Sequence, residues 1–121
     1  MQTQQLRINR KHMEPDIVLL EMSGLMVEDE CREVQRYVDA VLRENQRKVI
    51  MDLSRLERMD SLGVGTIVSC SAKLRKSGGE LRVAGAWGVV DELLKLTRVD
   101  QIVGFYMNPA AAAGEFNLQN E

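Results

Sequence analysis

The sequence is poor in aromatic residues, histidine and cysteine, and each shortage excludes a class of protein. Aromatic residues make up 4% of the 121 residues, so a base-stacking surface for nucleic acid is not expected. The core must therefore consist of Val, Leu, Ile and Met. Cys31 and Cys70 are the only cysteines, and both fall within apolar helical patterns. We interpret them as buried thiols rather than as the disulfide of a small secreted fold.

The sequence also lacks an excess of positive charge and any long apolar segment. Asp and Glu (18) outnumber Lys and Arg (16), and the net charge of -2 argues against a surface that neutralises many phosphates. No apolar run approaches the ~18 residues of a membrane span, and the first residues lack the apolar segment of a secretory signal. We therefore expect a cytoplasmic protein with neither nucleic acid nor a membrane as partner.

The apolar residues that are present predict alternating strands and helices. "QLRINR" and "DIVLLEM" flank a turn at Pro15 and predict an antiparallel hairpin. Three segments with helical periodicity then alternate with the strands "KVIMDLS", "ELRVAG" and "QIVGFY". The order ββαβαβαβ predicts an α/β fold with a single mixed β-sheet of four to five strands and helices packed against it.

The length fits one domain, residues 1–121, with a core over about residues 6–106. The remaining segment, 107–121, contains four consecutive alanines, which favour a helix. A helix of so few residues is only marginally stable unless it docks on the domain. We therefore expect a tail that forms a short helix and then becomes disordered. We assign this tail no function.

The residues needed for catalysis are scarce. "MDSLG" matches the second half of a GxSxG nucleophile elbow, but Met59 replaces the first glycine, and His12 would have to reach Ser61 from the amino-terminal turn. "GVGTIV" lacks the third glycine of a dinucleotide site and the lysine of a phosphate-binding loop. Asp52 and Asp60 could be paired carboxylates, but the sequence has no cluster of His or Cys residues that could complete a metal site with them. We expect no enzyme activity, no cofactor and no metal.

Ser61 lies where a strand ends and the second helix begins, within "RLERMDSLGVGTIV". At this position Asp60 or Ser61 would cap the helix, a purely structural role. The same helix end carries a partial positive charge and accommodates a phosphate. Phosphorylation of Ser61 would then oppose docking of a partner, because it adds about 1.5 to 2 negative charges beside Asp60.

The residues around Ser61 leave two interpretations open. Gly63 and Gly65 weaken an isolated helix, so they indicate either tight packing of the helix on the sheet or close approach of a partner. Met59 and Leu62 flank the serine and belong either to the core or to an exposed apolar contact.

"VIMDLSRLERMDSLGVGTIV", followed by "LRVAGAWGVVDELLKLTRVDQIVGFY", resembles the STAS domain of anti-sigma factor antagonists. That family has a hydrophobic strand ending in aspartate, a short loop and a DSxG motif that opens a helix. The resemblance extends from about Leu6 to Tyr106. It implies the STAS fold and a protein that regulates transcription indirectly through protein binding.

In that family, the serine matching Ser61 is phosphorylated by an anti-sigma factor that is itself a serine kinase, and a phosphatase removes the phosphate. The unphosphorylated domain binds the anti-sigma factor and releases the sigma factor. The resemblance thus implies phosphorylation at Ser61. It also implies a partner-binding surface formed by residues Met59, Asp60, Ser61, Leu62 and Gly63, in which Gly63 lets the partner's backbone come near.

Two positions depart from the family pattern. Leu62 stands where a second Ser or Thr often follows the acceptor, and Val27 stands where many members have the aspartate of a GxLD segment. The alternative is therefore a STAS-domain subunit of a larger signalling or lipid-transport complex, in which Ser61 is only a cap and surface contact. For the oligomeric state, we expect a monomer or weak dimer.

Overall fold

The computed structural model describes residues 5–119 and contains five strands and four α-helices in that range. In chain order they are β1 (Arg7–Met13), β2 (Ile17–Met26), α1 (Cys31–Arg43), β3 (Lys48–Met59), α2 (Ser61–Lys76), β4 (Glu80–Ala84), α3 (Gly88–Leu96), β5 (Gly104–Tyr106) and α4 (Pro109–Gln119). The predicted order ββαβαβαβ is confirmed, with α4 following it.

The strands form one mixed sheet in the order β1-β2-β3-β4-β5. β1 is antiparallel to β2, as the hairpin pattern predicts, and the other neighbours are parallel. Each parallel pair is joined through a helix, and α1, α2 and α3 all pack on one face of the sheet. This face holds the larger part of the core.

The central strands are buried on both faces, which explains their nearly continuous apolar sequences. Alternate residues of β2 and β3, such as Val18 and Val49, belong to the cluster beneath α1, α2 and α3. Their neighbours Ile17, Leu19 and Ile50 face the opposite way and belong to a second cluster with α4. Two-sided burial thus accounts for the apolar run "KVIMDLS", and α4 is the element that covers the second face.

The packed core continues past the predicted limit at Tyr106. Three side chains of α4 are buried against the sheet, at residues Ala112, Ala113 and Phe116. The alanine-rich segment thus forms a helix that docks, since small alanine side chains let it lie close to the strands. The prediction for residues 107–121 was a short helix followed by disorder; the helix extends to Gln119, and residues 120–121 lie outside the described residues.

Arg82 of β4 lies under α4 and is 0% exposed. Its guanidinium group forms an ion pair of 3.0 Å with Glu80 and donates a hydrogen bond to the Tyr106 hydroxyl. The guanidinium carbon lies 4.2 Å from the ring centroid of Phe116. A buried cation is costly unless it is paired, and these three side chains provide the pairing.

Both cysteines are free and buried, which confirms the interpretation of the sequence. Burial raises the pKa of Cys31 and raises the pKa of Cys70 to about 12. Both thiols are therefore protonated near neutral pH and are poor nucleophiles.

Across residues 5–119, no helix is both long enough and apolar enough to span a bilayer.

Candidate functional site

The candidate site is the junction at which β3 ends at Met59 and α2 begins at Ser61. Asp60 lies between them with an extended backbone, φ -112° and ψ -172°. Its Oδ1 atom accepts a hydrogen bond of 3.0 Å from the backbone N–H of Gly63. Of the two candidate caps, Asp60 is the one the structure shows, and Ser61 is the first residue of the helix.

The Asp60 carboxylate also joins the junction to the segment after β2. Its Oδ2 atom accepts a hydrogen bond of 3.1 Å from the backbone N–H of Glu28, and its own N–H donates to the carbonyl of Met26 at 3.4 Å. Both carboxylate oxygens therefore have partners within the chain. Asp60 is half-buried and positions Ser61 by fixing the start of α2 relative to the end of β2.

The Ser61 side chain is exposed, and within residues 5–119 its hydroxyl forms no hydrogen bond. It stands at the start of a 16-residue helix, where the aligned peptide dipoles produce a partial positive charge. An accessible hydroxyl at this end of a helix can accept a phosphoryl group, and the charge there favours the resulting anion.

The two apolar neighbours of the junction differ in exposure. Leu62 is 57% exposed and presents an apolar surface beside Ser61. Met59 is partly buried and packs against the main core. Leu62 is therefore exposed and not part of the core, whereas Met59 mainly supports the base of the helix; contact of either residue with a partner stays a prediction.

The two glycines at the start of α2 have different environments. Gly63 is buried, and a Cβ atom there would lie 2.5 Å from Cγ of Met59 and 2.7 Å from the carbonyl oxygen of Met26. Gly65 is exposed, and a Cβ atom there would meet nothing within 4 Å. The close approach at Gly63 is made by the chain's own Met26, so tight packing within the chain accounts for this glycine, and its contact with a partner's backbone stays a prediction.

This difference predicts opposite effects of alanine at the two positions. Gly63→Ala is expected to lower the free energy of unfolding by about 1–3 kcal/mol, because the backbone at Met26 cannot move without disturbing the sheet. Gly65→Ala is expected to raise it by up to about 1 kcal/mol, since alanine is the better helix former. Urea unfolding of both variants measures the two changes. Equal stability of both variants would show that Gly63 is not required for packing.

His12 lies at the other end of the sheet from Ser61. It pairs with Val18 on β2, and Val18 pairs with Val49 near the start of β3, whereas Ser61 follows the end of β3. The His12 ring lies 3.5 Å from the carboxylate of Glu14. The structure thus does not bring the serine and the histidine together as a nucleophile and its base.

Solved structures share this architecture. An anti-sigma factor antagonist from Mycobacterium paratuberculosis superimposes with a TM-score of 0.80 at 18% identity, covering 91% of this chain and 92% of that one. The anti-sigma factor antagonist SpoIIAA in its unphosphorylated form gives a TM-score of 0.76 at 14% identity, covering 95% and 98%. At these identities the likeness shows the fold, a five-stranded mixed sheet with helices on both faces.

The sequence comparisons agree with the fold. The family model described as "STAS domain" matches residues 10–112. The anti-sigma F factor antagonist of Paenibacillus polymyxa is 25% identical over 114 residues, which cover 93% of this chain and 97% of that protein. The chain belongs to the STAS domain family.

Proposed function

We propose that this chain is an anti-sigma factor antagonist whose binding to an anti-sigma factor is controlled by phosphorylation of Ser61. One observation carries the proposal: the Ser61 hydroxyl is exposed at the first residue of α2 while Asp60 takes the capping role. The hydroxyl is therefore available for modification without loss of the cap. The Paenibacillus polymyxa relative, an anti-sigma F factor antagonist, supports the choice of partner.

The chemistry around Ser61 explains how a phosphate would act. In the unmodified chain, the exposed surface at Ser61 includes a neutral hydroxyl and the apolar side chain of Leu62. A phosphate adds about 1.5 to 2 negative charges at this point, close to the carboxylate of Asp60. A partner that covers Leu62 would then also have to remove the charged phosphate from water, which weakens binding. The unmodified chain is therefore the binding form, and the phosphorylated chain is the released form.

In this proposal the chain is a substrate of catalysis and not a catalyst. The anti-sigma factor acts as a serine kinase and transfers the γ-phosphoryl group of ATP to the Ser61 oxygen, with ADP as the other product. A separate phosphatase hydrolyses the phosphoserine and restores the binding form. The distance of His12 from the junction along the sheet agrees with this role, since a kinase brings its own base.

Phosphorylation can be tested directly by mass spectrometry. The chain is incubated with ATP and the kinase-like anti-sigma factors encoded in the same genome, and the modified peptide is sequenced. We expect one phosphoryl group, on Ser61, and none on the Ser61→Ala variant. Modification at another residue would contradict the proposal. A stable complex that forms without any phosphate transfer would favour the alternative, a STAS subunit of a larger assembly.

A further inference from the structure

A groove of about 760 Å³ crosses the first three strands on the sheet face that carries α4. Glu21 and Asp52 line it, and they follow Leu19 and Ile50 by two residues on the same strands. Since side chains alternate along a strand, these acids share the face on which Leu19 and Ile50 contact α4. The groove is therefore the part of this face that α4 leaves open.

A bulge in β3 directs two consecutive side chains to this groove. Glu21 pairs with Asp52, but the next pair on this face is Ser23 with Arg55, so β3 contains one residue more than β2. Consequently Ser54 and Arg55 are both exposed and both line the groove, between the buried Leu53 and Leu56. Bulges that redirect a side chain are frequent at binding sites.

Two side chains hold the bulge in place. The carboxylate of Asp52 accepts a hydrogen bond of 3.0 Å from the Ser54 backbone N–H. The indole N–H of Trp87 donates a hydrogen bond of 2.8 Å to the Ser54 carbonyl. Trp87 is otherwise 64% exposed, so packing alone does not account for its position. The irregular backbone is thus supported from within β3 and from the loop before α3.

The bulge completes a row of cationic and hydroxyl groups. Arg7, Ser23 and Arg55 are register partners on β1, β2 and β3, and all three line the groove. Lys11 is paired with Glu21 at 3.3 Å, whereas neither Arg7 nor Arg55 forms an ion pair within residues 5–119. Two guanidinium groups on either side of a serine suit a phosphate or a carboxylate, which arginine binds through two parallel hydrogen bonds.

We propose that this groove binds a small hydroxylated organic anion, with its phosphate or carboxylate at Arg7 and Arg55. The volume lies in the range of small-molecule sites. Asp52 and Ser54, beside the two arginines, offer acceptors and a donor for the hydroxyl groups of the ligand. The site is independent of Ser61, since it lies on the opposite face of the sheet from α2.

Three matched sugars test the proposal on the intact chain in the absence of any partner protein. Glucose 6-phosphate and glucuronate carry the two candidate anions on a common ring, and glucose is the neutral control. In a titration followed by ¹H–¹⁵N spectra, at least one of the anions is expected to give saturable shifts at Arg7, Ser23 and Arg55, and glucose none. The sugar that responds identifies the anion. No shift in the groove with either anion overturns the proposal.

Substitutions show whether the arginines carry the binding. The Arg7→Ala, Arg55→Ala double variant is expected to weaken binding at least about tenfold, because each arginine contributes a charge-assisted hydrogen bond. Arg32→Ala removes an exposed arginine from α1, on the other face of the sheet, and is expected to bind as the unmodified chain does. Equal affinity of the double variant and the unmodified chain overturns the proposal. Because no anti-sigma factor is present in this titration, neither result bears on the phosphorylation of Ser61, which the mass spectrometry experiment tests separately.

Discussion

Replacing Ser61 with aspartate is expected to weaken binding to the anti-sigma factor at least about 100-fold, whereas Ser61→Ala is expected to keep it. A new carboxylate at this exposed position lies next to Asp60 and beside the apolar surface of Leu62. Covering an added carboxylate in a contact without pairing it costs several kcal/mol, and about 2.7 kcal/mol corresponds to 100-fold. Alanine removes only a hydroxyl that forms no hydrogen bond within residues 5–119.

Loss of binding by the aspartate variant would not come from unfolding. An acidic residue in the first turn of a helix is favoured by the helix dipole, so Ser61→Asp is expected to be as stable as the unmodified chain or slightly more stable. Ala72→Asp supplies the matched control, since it adds the same charge at an exposed position further along α2. Isothermal titration calorimetry against the anti-sigma factor measures all three variants. If Ser61→Asp and Ser61→Ala bind equally well, Ser61 is not a switch.

Replacing Phe116 with alanine is expected to lower the free energy of unfolding by about 3–5 kcal/mol. Phe116 is 2% exposed and connects α4 to the second cluster of the core. Its ring also lies over the guanidinium group of Arg82, so its removal opens a cavity above a buried cation. This loss is a large fraction of the 5–15 kcal/mol that stabilises an ordinary domain.

Unfolding by urea, followed by circular dichroism, measures the effect at Phe116. Phe116→Leu keeps most of the apolar volume and should cost clearly less than alanine. Gly114→Ala provides a control on the same helix, because Gly114 is exposed and an added Cβ would meet nothing within 4 Å. It should stabilise the chain by up to about 1 kcal/mol. An unchanged stability of Phe116→Ala would show that α4 contributes little to the folded domain.

Local patterns in the sequence were sufficient to predict the order of the strands and helices and the position of the junction between β3 and α2. Strand and helix periods differ, so the change from "VIMDLS" to the helical pattern after Asp60 could be recognised without tertiary contacts. The exposure of Ser61, by contrast, is shown by the structure, since Gly63 in the same turn is buried. The sequence alone did not distinguish Asp60 from Ser61 as the cap, because both side chains can accept the same hydrogen bond.

The roles of Gly63 and Gly65 could not be separated from the sequence. Both stand in the first two turns of α2, and both weaken an isolated helix to the same extent. They differ because Gly63 faces the carbonyl of Met26, which is 37 positions earlier in the chain and ends β2. A contact between distant parts of the chain has no signal in the local pattern.

By itself, the sequence determined the α/β class, the strand and helix order, and the serine at the start of α2, since these depend on residues that are neighbours along the chain. Only the tertiary structure revealed the docking of α4 over Arg82 and the bulge that directs Ser54 and Arg55 into a groove. These features depend on which strands pair, in which register, and on which face a helix returns. Such contacts join residues far apart in the chain, and the same local sequence is compatible with many of them.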